Sequence, residues 1–439
     1  MSITNIVNVS INVQDASPSV ADFGTPCIFA YHTHFVGAKL YDANPDGLAA
    51  MIADGFTTAE RAYRMASRLV GQNPSTDKFY VYTRAAQNDQ SIDLTPTDTT
   101  EGFVYEFVLG VVTVAGAYLE TTISYTVQNG DTVADIVAAI VSQINAISGV
   151  TAADNTTHVT ITPGAYPQQL YVDFAPRQLT VEDTSADAGI ATDLAAALTD
   201  LGDKFFGVLI DSYSEAEINA AATWAEANDR IFLALTADSD AATSSSSDVA
   251  SDVQSAAYNN TAVCVTRHMS GDLASALMGY MFAKTPGSAT WAYQRLAGPV
   301  ADNWTSGEFG FLQGKNALTY INTAGINHTM DGKGGSGRFL DITRGIAWTR
   351  AQIELEVLTL LLNNDKIPHN STGRGMIRAG VSAALTRAEA AGVIEPGWFV
   401  TIPAPSAADK ANRELNNVAF QATLSGAIHK VTVKGSVTV

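Results

Sequence analysis

The strongest candidate for chemistry in this chain is the loop GKGGSGR, Gly332 to Arg338, because glycines at such spacing let backbone N–H groups wrap a phosphate. A Walker-type loop needs glycine, four residues, then Gly-Lys-Ser/Thr: the lysine reaches the β- and γ-phosphates and the hydroxyl holds magnesium. Gly332 and Gly337 have that spacing, but Arg338 and Phe339 follow them, so the hydroxyl is missing. The loop reads instead as a flexible turn between two strands. His32 and His34 fall on one strand face by spacing and carry metal-binding nitrogens, yet no cysteine or carboxylate adjoins them to complete a site. His158, His268, His328, His369 and His429 are scattered singly. Asp238 and Asp240 start like a calcium loop, but Thr243 to Ser247 supplies neither the glycine nor the terminal glutamate. The chain has no HExxH, GxSxG or CxxC motif. Cys27 and Cys264 lie in apolar, strand-like runs and read as core residues rather than as a disulfide. The expectation is a protein that is not an enzyme, with no catalytic residue, no metal and no cofactor.

The elements that would have to position such residues alternate along the chain. Cys27 to Tyr31 reads as a buried strand, Thr58 to Val70 as a helix and Lys78 to Thr83 as another strand. The character then changes: between Ala85 and Asp200 the only basic residue is Arg177, against 15 acidic ones. Short alternating strands fill this stretch, at Phe103 to Leu109, Thr121 to Val127, Thr157 to Thr162 and Leu170 to Phe174. One helix interrupts them, with Asp131 as its cap, Val133, Ile136, Val137, Ile140, Val141 and Ile144 on its apolar face, and Gly149 as its stop. An α/β alternation then resumes: strands at Phe205 to Ile210, Arg230 to Leu235 and Thr261 to Thr266, helices at Ser214 to Ala227 and Asp248 to Tyr258. This pattern predicts βαβ crossovers and a largely parallel sheet. Near the end, helices are expected over Thr349 to Leu362, apolar nearly all round, and over Gly375 to Ala391. The fold class is therefore α/β and α+β, multidomain.

Composition narrows the partners. The net charge of −19 argues against nucleic acid, whose binders need Lys and Arg to displace phosphate counterions. No apolar run is long enough to span a membrane, and the start lacks the basic segment and apolar core of a signal peptide, so a soluble protein made in the cytoplasm is expected. The charge is uneven: residues 331–439 carry 12 Lys+Arg against 9 Asp+Glu, a net +3 in an acidic chain. Both ends have strand chemistry. Val7, Val9, Ile11 and Val13 alternate with polar residues, and Ile428, Val431 and Val433 lead a similar pattern that runs to Val439. A terminus with such a pattern needs a sheet edge, either in its own subunit or, by β-augmentation, in another.

Five segments carry a resemblance to a known family: VNVSINVQDASPSVADFGTP (Val7 to Pro26), DGFTTAERAYRMASRLVGQNPSTDKFYVYTR (Asp54 to Arg84), GRFLDITRGIAW (Gly337 to Trp348), LLLNNDKIP (Leu360 to Pro368) and DKANRELNNVAFQATLSGAIHKVTVKGSV (Asp409 to Val437). In order and spacing they resemble the contractile tail sheath proteins of bacteriophages. The resemblance implies a virion tail protein assembled in the host cytoplasm, a homo-oligomer of stacked hexameric rings around a tail tube. Such rings shorten to drive the tube through the host envelope. The implied partners are the tail tube protein and the baseplate and tail terminator proteins, with no membrane insertion. The implied organisation is an N-terminal strand arm over residues 1–20 and an α/β core from 21–84 and 185–321. An inserted acidic α+β domain over 85–184 faces outward, a C-terminal α+β sheath domain over 322–425 faces the tube, and a strand arm covers 426–439. Terminal arms would add strands to a neighbour's sheet through the residues named above, and Arg374 and Arg378 are candidates for touching acidic groups of the tube. The alternatives are a tube or baseplate component and a cytosolic α/β enzyme.

Overall fold

The computed structural model describes residues 22–43, 46–87 and 89–432. The N-terminal strand residues Val7, Val9, Ile11 and Val13, and Val433 at the other end, lie outside the described residues. The described chain groups into two compact units, residues 22–345 with 426–432, and residues 346–425.

The larger unit opens with β1 (Pro26–Ala30), β2 (Ala38–Asp42), α1 (Gly47–Ala53), α2 (Arg61–Val70) and β3 (Lys78–Thr83). The acidic stretch follows as β4 (Ile92–Pro96), β5 (Val104–Val112), β6 (Tyr118–Thr126), α3 (Val133–Ile144), β7 (Val150–Asp154), β8 (Val159–Pro163), β9 (Gln169–Asp173) and β10 (Leu179–Asp183). The chain then returns through α4 (Ile190–Leu201), β11 (Gly207–Ile210), α5 (Glu215–Ala227), β12 (Ile231–Thr236), α6 (Val249–Ser255), β13 (Thr261–Val265), α7 (Leu273–Phe282), α8 (Ser306–Gly314), β14 (Thr319–Thr323) and β15 (Ile326–Met330).

A six-stranded sheet in the order β13-β12-β11-β1-β3-β2 organises this unit, parallel throughout except for β2 against β3. Every residue of β1 and β12 is buried, as a central parallel strand covered on both faces requires. Residues 92–183 form antiparallel sheets of their own, β10-β4-β8-β7 and β6-β5-β9. These share a core in which Phe107, Leu109, Ile123, Ile136, Ile140 and Val159 meet. The apolar face of α3 falls where its periodicity puts it, but its cap is Thr132, not the expected Asp131. Thr132 and Asp135 form a reciprocal capping box, while the Asp131 carboxylate accepts from the Tyr125 hydroxyl at 2.6 Å and from the Gln128 N–H at 2.7 Å. Cations of α2 dock this region: Arg61 lies 5.7 Å from the Tyr171 ring centre, and Arg64 lies 3.9 Å from Tyr118 and 4.5 Å from Tyr171.

After β15 the glycine loop leads into the helix α9 (Leu340–Leu362), so it turns from a strand into a helix and not between two strands. A single bridge, Lys333 to Phe339, is all the strand pairing it makes. Its glycines answer to packing: a Cβ on Gly334 or Gly335 would run into the backbone carbonyls of Asn259 and Val253. α9 also begins nine residues before the expected Thr349. The early turns depend on tertiary contacts, with the buried Arg344 guanidinium donating to the carbonyls of Met281 and Phe23, each at 2.7 Å.

The smaller unit holds the rest of α9 from Ile346, then α10 (Ser371–Ala390), β16 (Phe399–Thr401), α11 (Ala407–Asn412) and β17 (Ala419–Gln421). Asn370 caps α10 by accepting from the Gly373 N–H at 3.1 Å, starting the helix four residues before the expected Gly375.

Candidate assembly surface

In the smaller unit, α9 and α10 approach closely at Gly380, where a Cβ would meet the Leu360 side chain. Arg387 ties the two helices together by reaching Glu356 at 2.5 Å and the Gln352 side-chain oxygen at 3.2 Å. Ile377, Val381, Leu385 and Ala388 turn one face of α10 into the core, closed by Val393, Ile394 and Ile402. The apolar sequence of α9 exceeds what this core covers. Leu361 is 55% exposed, and Leu358 and Leu362 are also open. Leu358 and Leu361, with Val357, Ile377, Val418 and Phe420, 49% exposed, line a groove of about 770 Å³, with Glu354, His369, Arg374 and Arg413 also in its wall. A contiguous apolar opening of this kind on a protein surface marks an interaction site.

β16 and β17 sit at the same unit and pair antiparallel over three residues each, Phe399 with Gln421, Val400 with Phe420 and Thr401 with Ala419. A two-stranded ribbon this short is marginal alone, and its outer backbone edges are templates for a further strand. Among the described residues no third strand joins it. Of the expected arm residues, Ile428 and Val431 are 81% and 73% exposed in chain without strand pairing. Arg374 and Arg378 sit one turn apart on α10, Arg374 in the groove wall and Arg378 exposed. Neither forms an ion pair among the described residues.

The sites weighed for catalysis resolve into architecture. His32 and His34 lie beyond the end of β1, not on a strand face. The chain leaves the sheet there because the Tyr31 N–H turns to the Asp211 carboxylate at 2.8 Å. Their rings stack at 5.7 Å between Phe35 and Phe56; His32 bonds Thr83 at 3.0 Å and His34 bonds Glu60 at 2.8 Å. Burial, then the neighbouring His34, pushes the His32 pKa down to about 4, which keeps its ring neutral. No group of side chains suited to a metal occurs among the described residues. At the carboxyl ends of β1, β3 and β11, where an open α/β sheet holds its ligand, the space is taken by Arg84. This fully buried guanidinium meets Asp211 at 2.6 Å, Asp193 at 3.4 Å and Glu217. Sequence reasoning missed this cluster, since Arg84 lies more than a hundred residues from each of its carboxylate partners. The apolar groove was foreshadowed only by α9 being apolar nearly all round.

Residues 340–437 match the family model described as E217 tail sheath protein gp31-like, C-terminal domain. The matched segment spans α9, α10, β16, α11 and β17. No curated protein matches the chain. Among solved structures it is similar to a sheath tail protein from Desulfitobacterium hafniense, with 10% identity over 90% of this chain and 94% of that one and a TM-score of 0.48. A sheath tail protein from Listeria innocua shares 11% identity over 93% and 96%, with a TM-score of 0.45. A chain of the anti-feeding prophage baseplate shares 13% identity over 57% and 73%, with a TM-score of 0.41. No helix among the described residues is long and apolar enough to cross a membrane.

Proposed function

We propose that this chain is the structural subunit of a contractile phage tail sheath, polymerising as stacked hexameric rings around a tail tube and shortening to drive that tube through the host envelope. The observation that carries the reading is the open apolar groove beside an unfinished two-stranded ribbon, both inside the segment that matches the sheath family. A subunit that offers strand-like arms and receives strands elsewhere makes heterologous contacts, which propagate into open helical assemblies. Each main-chain hydrogen bond of a docked arm contributes about 0.5–1.5 kcal/mol net, so half a dozen hold an arm by several kcal/mol. Weaker contacts exchange around it as the sheath passes from an extended to a shortened packing. In this reading residues 322–425 face the tube and residues 85–184 face outward, their negative charge keeping a large assembly soluble. Negative-stain microscopy of the purified protein tests the proposal: hollow sleeves or helical tubes are expected, and a monodisperse compact oligomer at every concentration would overturn it.

A further inference from the structure

The last residues of the described chain are gripped at one point. The Ser425 N–H bonds the Val393 carbonyl at 3.0 Å, and four residues later His429 lies in a cradle on the larger unit. Its ring nitrogen meets the Thr290 hydroxyl at 2.8 Å, its carbonyl accepts from the Tyr293 hydroxyl at 2.6 Å, and its ring stands edge-on to Phe339 with centroids 4.6 Å apart. Tyr293 is held for this in a conformation that bulky residues avoid, with φ of 62°. Bonds to Thr329 from the Tyr293 N–H at 2.8 Å and from the next N–H, of Gln294, at 2.9 Å fix the backbone there. The ring itself remains 43% exposed, so core packing does not account for the strain. A strained residue whose surroundings over-determine it points to a role beyond folding.

We propose that Thr290, Tyr293 and Phe339 form a docking site for the stem of the chain's own C-terminal segment, which grips His429 and sets how far the terminal arm reaches. The arm-length consequence rests on the sheath reading; the grip does not. Release of His429 back to Ser425 frees four further residues, able to span about 13 Å when extended. A tether that much longer changes which strand edges the arm meets and dilutes it at each of them.

Limited trypsin digestion of the dilute, unassembled full-length protein tests the grip, because cleavage after Lys430 requires His429 to leave the cradle while cleavage after Lys434 does not. In the native chain Lys430 should be cut about tenfold more slowly than Lys434, and His429→Ala or Tyr293→Phe should each bring the two rates together without lowering the melting temperature. Equal rates in the native chain, or a ratio unmoved by both substitutions, would overturn the cradle. Microscopy of the same samples separates the two readings. Sleeves with an unprotected Lys430 sink the cradle alone, and protection without sleeves sinks the sheath assignment while the cradle stands.

Discussion

Leu361→Asp is the substitution that most directly probes the groove. Leu361 is 55% exposed, so the folded subunit has little to lose. Fully burying a leucine stabilises by about 1.5–3 kcal/mol, and the uncovered half therefore represents about 1 kcal/mol available to a docked partner. A carboxylate there forfeits that gain and adds a desolvation cost of several kcal/mol when a partner closes over it. A combined loss of about 3 kcal/mol or more at each contact raises the critical concentration for polymerisation at least about a hundredfold, since about 1.4 kcal/mol is a factor of ten. The assay is light scattering and sedimentation across a concentration series, beside circular-dichroism melting of the same samples. Leu119→Asp on β6, at a residue 54% exposed outside the groove, is the matched control and should polymerise like the native protein. An unchanged critical concentration in Leu361→Asp, or an equal rise in both variants, would refute the groove as the assembly contact.

Removing residues 1–14 should leave a cooperatively melting protein that no longer forms sleeves; a collapsed melting transition would mean that this strand closes its own subunit's sheet. Arg374→Glu with Arg378→Glu should reduce co-assembly with tube while tube-free sleeves persist, because exposed charge pairs are each worth under about 1 kcal/mol and salt weakens them. Equal loss of both assemblies would place these arginines between sheath subunits. Arg84→Ala should cost about 3–5 kcal/mol in denaturant unfolding by stranding Asp193, Asp211 and Glu217 without their buried cation. A loss below about 1 kcal/mol would contradict that view of the cluster. Burial pushes the Asp302 pKa up to about 7, against only partial relief from the Arg267 N–H. A pKa raised on folding favours the folded state below the unfolded value near 4 and loses that advantage as the pH rises through 7, so this group makes stability increase on acidification from pH 7.5 to 5. Asp302→Asn should flatten that slope in pH-dependent melting, and an unaltered slope would show that Asp302 does not set it.

What the sequence determined by itself was whatever short-range periodicity encodes. Lys78–Thr83 forms the strand that its alternation predicts, and Val133–Ile144 the helix that its three-four spacing predicts, because each segment's burial follows from its own residues. The family resemblance in residues 340–437 was equally legible. Tertiary structure alone decided the features whose partners lie far apart in the chain. α9 starts at Leu340 because Arg344 finds carbonyls at Phe23 and Met281. Gly334 and Gly335 are glycines because the backbone at Asn259 and Val253 comes too near for a Cβ, not because a phosphate must fit. The Arg84 cluster and the grip on His429 each join segments more than a hundred residues apart, and no local pattern records such a meeting. The open groove has the same origin. The seven apolar residues between Ile353 and Leu362 announce that the helix must be covered, but only the placement of α10 and β17 settles which of them the subunit covers itself and which it leaves open.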